Sequence, residues 1–81
     1  MSYFVYILKC SDDTLYTGIT TDITRRVEEH NISDKGAKYT KIRRPVSLVY
    51  QEASENRSSA SKREYEIKKL NRKQKMELIN A

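Results

Sequence analysis

FVYILKCSDDTLYTGIT, residues 4–20, carries two strand-like runs on either side of a polar turn, with a tyrosine in each: Tyr6 and Tyr16. Residues 3–9 are aromatic, β-branched or apolar on both alternating sets, which suits a central strand covered on two faces. Ser11-Asp12-Asp13 is turn chemistry, and Leu15–Thr20 reads as the returning strand. Gly18 inside that strand marks close approach of backbone or ligand, or a bulge. In an antiparallel pair, opposed residues have a constant index sum. A three-residue loop gives 24 and puts Tyr6 and Tyr16 on one face, whereas a four-residue loop gives 25 and separates them. The sequence leaves both registers open, and a one-residue slip reverses every side chain.

Downstream, Asp22 to Asn31 reads as a helix capped by Thr21 or Asp22. Ile23 and Val27 start its apolar stripe, and Arg26 and His30 continue that stripe at helical spacing. On spacing alone Arg26 reads as a snorkelling side chain or a functional cation. His30 likewise reads as a residue favouring the helix dipole or as a functional imidazole. Residues 33–45 form a basic loop with Lys35, Lys38, Lys41, Arg43 and Arg44, Gly36 for flexibility and Tyr39 in the middle. Cations interleaved with an aromatic suit phosphates and a stacked base, although a solvated charged loop has the same composition. Pro45 then opens a strand over Val46–Gln51.

A second helix is expected over Asn56–Leu70, with Ala60, Ile67 and Leu70 on its apolar stripe. Glu64 falls on that stripe, where a carboxylate needs a cation, a hydrogen-bond set or a metal. Asn71 can cap a short terminal helix containing Met76 and Ile79. The fold expected is therefore one α/β (α+β) domain over residues 1–81. Its three-stranded antiparallel sheet has Tyr3–Lys9 at the centre and helices flanking it.

The 81 residues include 16 Lys and Arg against 11 Asp and Glu, a net charge of +5. That balance favours an anionic partner, nucleic acid foremost. No apolar run reaches the ~18 residues of a membrane span, and the first residues lack signal-peptide character. Cys10 is the sole cysteine and His30 the sole histidine, so no internal disulfide and no Cys/His zinc site can form. A reduced, cytoplasmic setting is the simplest reading.

Two hairpin tyrosines, an Arg and a His one turn apart on the next helix, and a lone Glu on a later helix form a constellation. It resembles the GIY-YIG nuclease family, specifically its small single-domain bacterial members. The resemblance covers about residues 4–70. Phe4-Val5-Tyr6 corresponds to the first family motif, without its glycine, and Tyr16-Thr17-Gly18 to the second. Within GITTDITRRVEEHN, Arg26 and His30 fall at the family spacing after Tyr16. Tyr39 matches a Tyr-or-His position, and Glu64 in SKREYEIKKL matches the metal-binding glutamate. Asn71 and Asn80 follow, neither aligning with the late asparagine of many family enzymes.

The resemblance implies a divalent-metal-dependent DNA endonuclease, acting on branched, damaged or single-stranded substrates. Tyr6, Tyr16, Arg26 and His30 would be catalytic, and Glu64 would hold Mg2+ or Mn2+. Arg26 would bind the scissile phosphate with its planar fork. Tyr6 would orient or deprotonate the attacking water, Tyr16 would assist, and His30 would be the alternative base. Lys35, Lys38, Tyr39, Lys41, Arg43 and Arg44 would contact nucleic acid, with a protein partner supplying specificity. The competing readings are a catalytically weak nucleic-acid-binding module and a protein-interaction adaptor.

Overall fold

The computed structural model describes residues 2–81. Strands β1 (Tyr3–Lys9), β2 (Leu15–Thr20) and β3 (Ser47–Ser54) form one antiparallel sheet in the order β2-β1-β3. Helices α1 (Ile23–Ile32) and α2 (Lys38–Lys41) lie between β2 and β3 in the chain, and α3 (Arg57–Lys68) and α4 (Arg72–Ile79) follow. β1 is central, as its two-sided apolar run requires. Among the described residues, no helix is long and apolar enough to cross a membrane.

The hairpin adopts the register of sum 24: Tyr6 faces Gly18 and Leu8 faces Tyr16. The loop is the three-residue Ser11–Asp13, closed by Cys10 N–H to the Thr14 carbonyl at 2.9 Å. Asp13 ends it in the left-handed region, φ 69°, the position that three-residue hairpin loops require and that Asp tolerates.

The sheet has two dissimilar faces. Val5 and Ile7 pack with Ala60 and Ile67 of α3, and with Leu78 and Ile79 of α4. Tyr6, Leu8, Cys10 and Val46 pack with Tyr16 and with Ile23 and Val27 of α1. The pairing of β1 with β3 shifts between Ile7 and Leu8. The extra residue lets Val49 and Tyr50 both join the α3 side while Leu48 joins the other.

Some expected boundaries move, each for a local reason. α1 starts at Ile23 because the Asp22 side chain caps it, accepting from Arg25 N–H. Asn56 caps α3 the same way through Ser59 N–H, and Asn71 caps α4 in a capping box with Gln74. β3 begins at Ser47 and not at Val46. The Val46 N–H donates to Asn31 Oδ1 at 2.7 Å and its carbonyl accepts from Asn31 Nδ2 at 3.0 Å, so Val46 is bonded to α1 instead of the ladder. The basic segment is not wholly loop, since α2 forms within it. Gly36 is there for close approach more than flexibility: a Cβ would lie 2.7 Å from the Glu29 carbonyl oxygen and 3.0 Å from His30 Cα.

Candidate active site

Tyr6 and Tyr16 share the α1 face of the sheet, and α1 brings Arg26 and His30 over them. Tyr6 is 1 % exposed and His30 is fully buried. The Tyr6 ring lies across Gly18, where an added Cβ would come within 2.5 Å of the hydroxyl and 2.7 Å of Cζ. Gly18 is thus the seat of the Tyr6 ring.

The hydrogen bonds around His30 define their own direction. The Thr40 hydroxyl donates to the Ala37 carbonyl at 2.9 Å. Its oxygen therefore accepts from His30 Nδ1–H at 2.8 Å. That tautomer leaves Nε2 as an acceptor, and the Tyr6 hydroxyl donates to it at 2.8 Å. Burial, with the Arg26 and Arg44 charges adding to it and Glu29 opposing, pushes the imidazole down to about 4. His30 is therefore a neutral acceptor and not the cation of a helix C-terminus. Burial also pushes the Tyr6 phenol up to about 12; Arg26 pulls it down, while Tyr16 and Glu64 push it up. At neutral pH both partners are uncharged, so Tyr6 is not a ready base in the free protein.

Arg26 is one-quarter exposed and ion-paired with Glu29 at 3.0 Å. The same Nη1 donates to the Lys35 carbonyl at 2.8 Å, which fixes the guanidinium between α1 and the basic segment. Tyr16 meets the His30 ring edge-on, centroids 5.2 Å apart, and stacks with Tyr39 at 5.9 Å. Arg43 lies over the Tyr39 ring, 3.9 Å from its centroid, with Nε 3.0 Å from Asp12 in an ion pair that is not an aligned hydrogen bond. Lys35 and Lys38 are exposed and Lys41 is half-buried.

Two residues differ from their expected settings. Arg44 faces inward: it donates to the carbonyls of His30 at 2.6 Å, Ser33 at 2.6 Å and Glu29 at 3.4 Å, closing the end of α1. Those donors are taken, so its setting is that of a structural clamp. Glu64 sits at the edge of the α3 stripe, with a side chain 24 % exposed, and Lys68 Nζ at 3.4 Å is the cation it pairs with. It belongs to the helix layer across the sheet from Tyr6, yet its charge is felt at the Tyr6 hydroxyl.

Thr40 escaped the sequence reading. A threonine in a basic segment carries no signal of burial, and its contact with His30 forms only when α2 docks on α1.

Among the described residues, no three His, Cys, Asp or Glu side chains gather as metal ligands. The setting nonetheless fits a hard divalent cation that keeps most of its water: one accessible carboxylate, with a lysine ammonium already standing in as its counter-ion.

The GIY-YIG catalytic domain matches residues 2–77. A UPF0213 protein of Desulfotalea psychrophila is 60% identical over 99% of this chain and 73% of its own length. A UPF0213 protein of Staphylococcus aureus is 62% identical over 96% of this chain and 94% of its own. The solution structure of a UPF0213 protein from Bacillus halodurans, 46% identical, superposes with a TM-score of 0.63 over 99% of this chain and 84% of that one. A solution structure of an E. faecalis protein at the same identity and coverage gives 0.67. The chain belongs to the GIY-YIG family, as one of its small UPF0213 members.

Proposed function

We propose that this chain, as a single domain, is a divalent-metal-dependent endonuclease that hydrolyses phosphodiester bonds in DNA. The observation that carries the reading is the directed chain Tyr6–His30–Thr40 beside the Arg26 guanidinium, a proton path next to a phosphate-binding fork. Arg26 binds the scissile phosphate with its remaining donors. Tyr6, its own proton aimed at His30, offers its oxygen lone pairs to the attacking water. As the water oxygen bonds to phosphorus and the P–O bond to the leaving oxygen breaks, the water proton passes to Tyr6 and the Tyr6 proton to His30 Nε2, while the leaving alkoxide takes its proton from solvent. His30 Nδ1–H stays on Thr40, which holds the ring in the accepting tautomer. The negative phosphate raises the proton affinity of His30 at that moment. Tyr16, half-buried against His30, lines the same face. Because Tyr6 is 1 % exposed in the free chain, substrate docking must open a path for one water to its hydroxyl.

Glu64 would hold Mg2+ or Mn2+, with water and phosphate oxygens completing the shell; such an ion stabilises charge on the phosphoryl oxygens and lowers the pKa of groups near it. Lys35, Lys38, Lys41, Tyr39 and Arg43 extend a basic surface from α1 for the flanking backbone. The test is nicking of a panel of duplex, branched and single-stranded DNAs in Mg2+ and in chelator, with Glu64→Gln beside Glu66→Gln. Cleavage that needs metal and Glu64 supports the reading, and cleavage undiminished in Glu64→Gln removes it.

A catalytically weak nucleic-acid-binding module is the second reading, favoured by the Lys68 ammonium on Glu64. It predicts binding to the same DNAs with little cleavage in any metal.

A further inference from the structure

Helix α3 is asymmetric about its buried stripe. Turning about 100° per residue, it sets Ala60 and Ile67 against the sheet, both fully buried. On the flank toward β3, charges are mutually satisfied: Arg63 Nε donates to Glu52 at 3.0 Å, Tyr50 donates to the same carboxylate at 2.6 Å, and Glu66 lies 3.6 Å from Arg63. The opposite flank begins at Glu64 and passes outward through Lys68 and Ser61 to Tyr65 and Lys69. Tyr65 is 61% exposed, and its ring carries the Lys69 ammonium 4.5 Å from the centroid. Glu64 is the one acid on this flank.

An exposed aromatic ring flanked by cations, next in the chain to the proposed metal glutamate and about 100° round the helix from it, suits a chain that alternates phosphates with flat bases. We propose that this flank of α3 binds a single-stranded stretch of the substrate, with an unpaired base stacked on Tyr65 and adjacent phosphates on Lys68 and Lys69. The proposal rests on the nuclease reading and deepens it: the strand leaving the cleavage site is unpaired where it crosses α3. A duplex keeps its base faces covered, so it gains nothing from Tyr65 and only the charges of Lys68 and Lys69 from this flank. An acidic protein would engage the lysines, but would not need the open face of the ring.

The test is fluorescence anisotropy in chelator, which prevents cleavage, using a labelled single-stranded oligonucleotide and a duplex of the same length. The proteins are the full chain and its Tyr65→Ala, Tyr65→Phe and Lys69→Ala variants. Tyr65 is exposed, so these substitutions leave the core untouched. Tyr65→Ala is expected to weaken single-strand binding about five-fold or more, with the salt slope unchanged and duplex binding little altered. Tyr65→Phe should bind like the parent, because the ring face is what matters. Lys69→Ala should lower the single-strand salt slope by about 0.7. Single-strand affinity unchanged in Tyr65→Ala, in a parent chain that does bind, overturns the α3 flank alone. A parent chain that binds neither probe at low salt overturns the nucleic-acid reading with it and leaves an acidic protein as the partner of this surface.

Discussion

The Tyr6 hydroxyl donates to His30 Nε2, 2.8 Å away, inside the sheet–α1 interface. Tyr6→Phe keeps the ring on Gly18 but leaves a buried imidazole nitrogen without its donor. The variant should lose about 1–3 kcal/mol of stability and all cleavage, read by urea unfolding and by nicking. Unchanged stability would mean that water replaces the hydroxyl.

His30 makes folding pH-dependent in a defined direction. Its imidazole titrates near 4 in the folded chain, against about 6.5 when unfolded. A neutral-preferring folded site stabilises above the unfolded value, and that contribution is lost as pH falls from about 6.5 through 4, where the unfolded chain takes up the proton first. The loss amounts to at most about 3 kcal/mol. Unfolding free energies measured between pH 7 and 4 should fall more steeply for the parent than for His30→Gln, which has no imidazole to protonate. Parallel curves would contradict the buried neutral histidine.

Gly18→Ala tests the seat of the Tyr6 ring. The new methyl would meet the hydroxyl at 2.5 Å, forcing the ring to move at a cost of about 1–3 kcal/mol. Because Gly18 has no positive φ, the effect is steric and not conformational. With Tyr6→Leu in the same chain the clash is gone, so the double variant should lose less stability than the sum of the two single losses, with cleavage absent.

Metal affinity should respond to Lys68 in the opposite sense to Glu64. The Lys68 ammonium is 3.4 Å from the Glu64 carboxylate, where it competes with and repels a divalent ion. Mn2+ titration followed by electron paramagnetic resonance, without DNA, should show Lys68→Met binding about two- to five-fold tighter and Glu64→Gln losing the site. Equal affinity in parent and Lys68→Met would show that the lysine moves aside freely.

Arg44 and Lys38 separate structure from nucleic-acid contact. Arg44→Ala removes the guanidinium from three carbonyls at the end of α1, of which Glu29 and Ser33 keep backbone donors, and should cost about 1–3 kcal/mol, with little change in the salt slope of DNA binding. Lys38→Ala should leave stability alone and lower the slope by about 0.9.

The central strand was legible in the residues, because apolar side chains on both alternating sets of Tyr3–Lys9 need cover on two faces. The sequence placed Arg26 and His30 together, because they are one helical turn apart, and it offered Asp22, beside Thr21, and Asn71 as caps from side chains that accept hydrogen bonds. These are local matters of period and chemistry. The hairpin register needed the structure, since both loop lengths suit the same turn residues and only packing of Tyr6 against Gly18 and α1 selects one. Tertiary docking also decided that Thr40 holds His30, that Arg44 turns inward to α1, and that Val46 bonds to Asn31 and leaves the ladder. Each of these joins residues ten or more apart across irregular chain, where no periodicity links the partners and burial alone decides which polar groups must find one another.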